Sequence, residues 1–186
     1  MTYENQRQGD NHGAAASGAQ REKTLRGTFT GWGFNFIRTQ ADAAKYLGIS
    51  LTPAGKVRKK DIPTVNAWLD NKITFYPSEE YTECGFNYFT ADGYCPELDA
   101  VIELKGGDKS GTTEEKVFFD LEKLRDGCYG SCTVLYITEG KKETDKCTKL
   151  FTRKLLKSQE RGDIAENVHV LPYSQLTQEV LVEVAK

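Results

Sequence analysis

Ala100-Val-Ile-Glu-Leu-Lys105 is an apolar run that predicts a β-strand with a glutamate and a lysine near its end. Successive side chains of a strand point to opposite faces, so Glu103 and Lys105 share one face while Leu104 takes the other. A carboxylate can hold a metal ion, and an ammonium beside it can meet a phosphate group or a water molecule. Glu and Lys also pair on ordinary solvated strands, where the pair contributes roughly a few tenths of a kcal/mol. The surrounding segments decide between these two interpretations.

A helix and a second strand follow this stretch. Residues 114–125 have an amphipathic pattern that predicts a helix ended by Gly127, and residues 133–138 form a short apolar run. Further helices are predicted at 39–47, 61–70, 145–159 and 174–185, with Ser174 capping the last, and further strands at 73–76, 86–89 and 168–171. This order predicts an α/β fold with a mixed central sheet flanked by helices.

Composition limits the classes of protein that fit. The chain has 186 residues, with 25 Lys and Arg against 27 Asp and Glu, so its formal charge of −2 argues against a protein that coats nucleic acid through bulk charge alone. The densest positive run, Lys56-Val-Arg-Lys-Lys60, fits either a solvated loop or a contact with phosphate. No apolar run reaches membrane-spanning length, and the polar N-terminus does not read as a signal peptide. Five cysteines without a C-x-x-C pair fit a reduced compartment, so a cytoplasmic location is expected.

The chain divides into three predicted parts. Residues 1–24 lack periodicity and are expected to form a disordered tail, residues 25–71 a small helical N-terminal segment, and residues 72–186 the core. Within the helical segment, Ala43-Ala-Lys-Tyr-Leu-Gly-Ile-Ser50 is similar to the first helix and turn of helix-turn-helix proteins, although Leu51-Thr-Pro-Ala-Gly55 interrupts the second helix. This segment is expected to supply DNA or dimer contacts.

The predicted element order and the E-x-K motif together resemble the PD-(D/E)XK nuclease superfamily, which has the restriction-endonuclease-like fold. Its core is a helix, a three-strand meander, a helix and a further strand, and the resemblance covers about residues 61–138. The third meander strand carries the motif, here Glu103-Leu104-Lys105. The resemblance implies a metal-dependent endonuclease acting on double-stranded DNA, most similar to a small type II restriction endonuclease. Such enzymes work as homodimers because a two-fold symmetric protein matches a palindromic site.

The resemblance also requires a second carboxylate, for which the chain offers three candidates. Asp92 precedes Glu103 by eleven residues, a spacing common in the family, although Ala91 replaces the family's preceding proline. It would open a short strand that turns at 96–99 and returns to Glu103. Asp99 is the second candidate, but on the same straight strand its Cα would lie about 13 Å from that of Glu103, so a bulge would be needed. Glu83 is the third, set opposite Glu103 by a longer hairpin.

The resemblance further implies the role of each residue. Asp92 or Asp99, Glu103 and the main-chain carbonyl of Leu104 would hold Mg²⁺, with Mn²⁺ as a substitute. The metal would polarise the scissile phosphate and activate a water molecule, and Lys105 would orient that water or stabilise the growing negative charge. Two alternatives stay open: a Holliday-junction or repair nuclease of the same fold, and a non-catalytic DNA-binding protein built on the helix-turn-helix-like segment.

The polar side of the helix at 114–125 carries Lys116, Asp120 and Lys123. Their i, i+4, i+7 spacing predicts a solvated charge ladder, with Lys116 or Lys123 within reach of a phosphate. The loop at 106–111 lacks the spacing of a phosphate loop and is expected to be a flexible loop beside the active site, where Lys109 would reach DNA.

Overall fold

The computed structural model of the protein describes residues 20–76, 79–106 and 113–186, with backbone alone at 113–118 and 141. The expectations for the tail at 1–19, for Lys109 and for the Lys116 side chain therefore lie outside the described residues. The helices are α1 (20–31), α2 (Gln40–Tyr46), α3 (Ile62–Ile73), α4 (Glu79–Glu83), α5 (Thr113–Arg125), α6 (Lys146–Glu160) and α7 (Gln178–Val184). The strands are β1 (Thr74–Phe75), β2 (Phe89–Thr90), β3 (Gly93–Cys95), β4 (Ala100–Gly106), β5 (Thr133–Glu139) and β6 (Val168–Pro172).

A four-stranded mixed sheet in the order β3-β4-β5-β6 forms the centre of the fold. Strand β3 runs antiparallel to β4, whereas β4, β5 and β6 are parallel, with α5 and α6 in the crossover connections. Strands β1 and β2 form a separate two-stranded antiparallel sheet. The predicted α/β class with a mixed sheet flanked by helices is therefore confirmed.

Helices cover both faces of the sheet, and the alternation of side chains along the strands separates two cores. On the first face, Val101 and Tyr136 pack with residues of α2, α3, α5 and α6. On the opposite face, Ile102 and Ile137 pack with residues of α1 and α7. On the first face the apolar side chains give way to Glu103, Lys105 and Thr138 toward the carboxyl ends of β4 and β5. That edge of a parallel sheet is where α/β proteins commonly bind ligands.

Side-chain caps fix the starts of two helices. Thr39 caps α2 through a capping box with Asp42, and Asp145 caps α6 by accepting from the Cys147 amide. The prediction that Ser174 caps the last helix is wrong. Ser174 lies in a short 3₁₀ turn, where its hydroxyl donates to Glu143 at 2.6 Å, and α7 begins later with Thr177 as its cap.

The N-terminal part of the described chain is integrated with the sheet. The helix α1 already includes residues 20–24, which the sequence assigned to the tail, and it buries Leu25 and Phe29. Ile37 forms a bridge with Tyr94, so the segment at 25–71 shares the core of the sheet. The connection between α2 and α3 spans 47–61, much longer than the turn of about 3–4 residues in a helix-turn-helix. Among the described helices, none is long and apolar enough to cross a membrane.

Candidate active site

Glu103 and Lys105 lie near the carboxyl end of β4 and face helix α5. Glu103 is only 5% exposed and the Lys105 side chain 29%, and Lys105 Nζ lies 3.2 Å from Glu103 Oε2. A carboxylate this deeply buried is not part of a solvated strand pair. The interpretation of Glu103 and Lys105 as an ordinary exposed pair is therefore excluded.

A closed ring of five side chains surrounds this pair. Lys105 Nζ lies 2.9 Å from Asp120 Oδ2, and Asp120 Oδ1 lies 2.9 Å from Lys123 Nζ. Lys123 Nζ donates to the Tyr129 hydroxyl at 2.9 Å, and that hydroxyl donates to Glu103 Oε1 at 2.8 Å. The ring joins strand β4 to helix α5 and to the turn after it. It fixes both oxygens of the Glu103 carboxylate.

The prediction that Asp120 and Lys123 form a solvated ladder is wrong. Asp120 is 4% exposed and Lys123 is 7% exposed, because this side of α5 faces the sheet. The ammonium of Lys123 lies 5.2 Å from the ring centroid of Phe89 and 5.9 Å from that of Phe119. From the sequence pattern, polar residues on one side of a helix are predicted to face solvent. The pattern does not show that their charges are neutralised by partners inside the fold. Tyr129 was missed because the turn in which it lies carries no periodic signal.

The electrostatics of the ring point to function. The charges of its two carboxylates and two ammonium groups cancel. Removing such ions from water nevertheless costs several kcal/mol per ion unless every partner is well placed. Burial alone would lower the pKa of Lys105, but the carboxylates of Glu103 and Asp120 raise it above its ordinary value, so Lys105 is charged at neutral pH. Burial and the charge of Glu103 raise the pKa of Tyr129, so its phenol keeps its proton. Buried titratable clusters of this kind are enriched at catalytic sites.

Asp92 lies beside this ring, immediately before β3. Its Oδ2 accepts a hydrogen bond of 2.8 Å from the Leu104 amide. In the antiparallel pairing of β3 with β4, Gly93 lies opposite Ile102. The same register continued by one residue sets Asp92 opposite Glu103. The N–H and C=O of one strand residue lie on the same edge, so the Leu104 carbonyl also lies on the Asp92 side. The structure thus brings together Asp92, Glu103, Leu104 and Lys105.

The other two candidate acids lie elsewhere. Asp99 occupies a left-handed conformation at the amino end of β4, and its side chain is 75% exposed beside Lys72. Strand β4 pairs with β5 residue by residue from Ala100 to Gly106, so no bulge shortens the distance to Glu103. Glu83 is exposed on α4 and does not pair with β4. Neither Asp99 nor Glu83 can therefore share a metal ion with Glu103.

The donor set at Asp92 and Glu103 suits a hard cation. Carboxylate and carbonyl oxygens are the ligands that Mg²⁺ prefers, and an ionised carboxylate offers about four lone-pair sites, so Glu103 keeps capacity beyond its two hydrogen bonds. Within 20–76, 79–106 and 113–186, no group of three or more His, Cys, Asp or Glu side chains is arranged to hold a metal ion. The set implied by the resemblance is smaller, with two carboxylates and one main-chain oxygen.

Comparisons of the chain with protein-family models, with curated proteins and with solved structures found no match. The function is therefore inferred from the geometry and chemistry of the site.

Proposed function

We propose that the protein is a Mg²⁺-dependent endonuclease of the PD-(D/E)XK type that hydrolyses phosphodiester bonds in double-stranded DNA. The proposed enzyme resembles a small type II restriction endonuclease and acts as a homodimer. The observation that carries the proposal is the convergence of Asp92 with Glu103, Leu104 and Lys105 at one end of an antiparallel strand pair.

The topology around the motif supports the same proposal. Strands β3 and β4 form an antiparallel pair, α5 follows, and β5 returns parallel to β4, in the order that the resemblance requires. Helix α3 precedes these strands. The chain departs from the family's three-strand meander because β1 and β2 form their own small sheet. The antiparallel pairing of β3 with β4, which positions the motif, nonetheless supports the proposal.

The roles of the residues follow from their contacts. Asp92, Glu103 and the Leu104 carbonyl would hold Mg²⁺, which polarises a phosphate and lowers the pKa of a bound water molecule. Lys105, held as an ammonium by its two carboxylates, would orient the attacking water or stabilise charge on phosphorus. In the reaction, water loses a proton as its oxygen forms a new bond to phosphorus, the bond to the leaving oxygen breaks, and that oxygen takes up a proton. Tyr129 fixes the orientation of Glu103 and remains neutral.

Cleavage of supercoiled plasmid and phage DNA by the purified full chain tests the proposal. We expect nicking or linearisation with Mg²⁺ or Mn²⁺ and none with EDTA. Glu103→Gln and Lys105→Ala should lower the rate by about 10²-fold or more, the usual effect of losing one group that stabilises transition-state charge. Glu122→Gln is the matched control, because Glu122 lies on α5 but is exposed and pairs with Arg125. Undetectable cleavage across both metals, or full activity of Glu103→Gln, would overturn the proposal.

The choice of substrate distinguishes the two alternatives. A Holliday-junction or repair nuclease of the same fold would cut a synthetic four-way junction or a damaged duplex and leave intact linear DNA uncut. A non-catalytic DNA-binding protein would bind DNA without metal and show no cleavage. The exposed basic residues at 56–60 would then supply phosphate contacts, and their neutralisation would weaken binding across all sequences.

A further inference from the structure

A cavity of about 230 Å³ lies next to the buried ring, between the carboxyl ends of β4–β6 and helix α6. The lining includes polar groups from four elements, among them Lys105, Asp120, Tyr136, Thr138 and Lys142. At about 30 Å³ for each water molecule, the cavity has the volume of seven or eight waters. Gly106 at its rim is exposed, so this end of the cavity lies near the protein surface.

An unpaired hydroxyl group in the cavity points to a bound ligand. Thr138 Oγ1 is buried and has no hydrogen-bond partner among the described residues, whereas the equally buried Tyr136 hydroxyl interacts with that of Tyr129. Most buried polar groups in native proteins are satisfied by protein, water or ligand. Thr138 and Tyr136 lie on the same sheet face, two residues apart on β5, and the Thr138 hydroxyl can donate a hydrogen bond.

The donor groups that line the cavity favour an oxyanion. Lys105 and Lys142 contribute two ammonium groups; Lys105 already binds the carboxylates of Glu103 and Asp120, and Asp120, which is the carboxylate in the lining, also binds Lys123. Lys142 is buried and lies 2.6 Å from Asp145 Oδ2, and an ammonium has three N–H groups, so it retains donors for a ligand. Ammonium and hydroxyl donors around one small space match the oxygens of a tetrahedral oxyanion.

We propose that this cavity binds a phosphate group, either free or as a phosphomonoester, through Lys142 and Thr138. The inference deepens the proposed function and in that role rests on it, because phosphodiester hydrolysis leaves a phosphomonoester on one DNA strand. The cavity shares Lys105 with the proposed catalytic site, so a product phosphate has only a short distance to move. The cavity would then serve as the product subsite of the nuclease.

Calorimetric titration of the full chain with inorganic phosphate, in a metal-free chloride buffer, tests the proposal. We expect saturable binding that weakens about tenfold in Thr138→Val, the effect of one lost hydrogen bond, and at least as much in Lys142→Met. The control is Lys157→Met in the last turn of α6, an exposed lysine outside the lining of the cavity, which should bind phosphate like the unaltered chain. Circular dichroism confirms that each variant is folded. Thr138→Val keeps the test valid if loss of Lys142 disturbs Asp145.

A 5′-deoxymononucleotide and its unphosphorylated nucleoside distinguish the source of the phosphate. Tighter binding of the mononucleotide than of inorganic phosphate supports a phosphomonoester, and binding of inorganic phosphate alone supports the free ion. Binding of the nucleoside with equal affinity, no phosphate binding by the folded chain, or unchanged binding in both cavity variants would overturn the inference. Because the titration contains neither metal nor DNA, its failure leaves the proposed nuclease intact, and a failure of cleavage leaves phosphate binding intact.

Discussion

The substitution Tyr129→Phe removes one oxygen atom from the centre of the buried ring. The phenol donates to Glu103 and accepts from Lys123, so the variant leaves a buried carboxylate oxygen without its donor and removes one of the acceptors of the Lys123 ammonium, which keeps Asp120. The aromatic ring keeps its contact with Phe75, whose centroid lies 5.0 Å away, so packing is preserved. The change therefore isolates the two hydrogen bonds from the rest of the structure.

The structure fixes the expected magnitude. A hydrogen bond to a charged group contributes about 1.5–3 kcal/mol, and both bonds lie among side chains that are almost fully buried, so solvent does not replace them. We expect the free energy of unfolding to fall by about 3–5 kcal/mol, a large share of the stability of an ordinary domain. At about 2–4 °C per kcal/mol for a chain of this size, Tm should fall by roughly 6–20 °C.

Urea denaturation followed by circular dichroism measures this loss, with Tyr88→Phe as the control on an exposed tyrosine. The control should change the unfolding free energy by less than about 0.5 kcal/mol. A double-mutant cycle with Glu103→Gln should show a coupling of at least about 1 kcal/mol, because the two residues share one hydrogen bond. If Tyr129→Phe costs no more than the control, or the cycle gives no coupling, the ring does not exist in solution as described.

Two further predictions concern the packing and charge of the fold. Gly93→Ala should destabilise the protein by about 1–3 kcal/mol, because the added Cβ would lie 2.6 Å from the buried ring of Phe36. Gly27→Ala on α1 meets nothing within 4 Å and should stabilise by about 0.4–1 kcal/mol; thermal melts of both variants check the contrast. Burial alone would raise the pKa of Asp42, but the hydrogen bond from Arg26 holds it below its ordinary value of 3.8. Because this pKa is lowered in the folded state, Asp42 stabilises the fold above pH 3.8, and this stability is lost as the pH falls below that value. Between pH 5 and pH 2, the urea midpoint should therefore fall less steeply in Asp42→Asn than in the unaltered chain. A parallel pH dependence in variant and parent would contradict this.

The sequence predicted the elements whose pattern is local. Helices α5 and α6 and strands β4 and β5 were recognised because apolar periodicity, caps and turn residues agree along each segment. The hairpin that places Asp92 beside β4 was also anticipated, since Pro96 and the residues after it form a turn between two short strands. The candidate acids could not be separated further, because their separation depends on strand register, which the structure supplies.

The rest of the site is non-local. Only tertiary packing brings Glu103 together with Asp120, Lys123 and Tyr129. In the sequence, the same residues are equally typical of a solvated helix and a turn. The cavity beyond Lys105 is likewise assembled from separate elements and carries no sequence motif. Whether a polar residue is buried depends on partners that lie far away along the chain. The periodicity of the sequence does not contain that information.

The most direct test of the proposed nuclease compares the first and second candidate acids of the sequence, which the structure separates. Plasmid cleavage in Mg²⁺ should be lost in Asp92→Asn, whose side chain lies beside Glu103 and Leu104, and retained in Asp99→Asn, whose side chain is exposed at the opposite end of β4. Equal cleavage by Asp92→Asn and the unaltered chain, or loss confined to Asp99→Asn, would contradict the account.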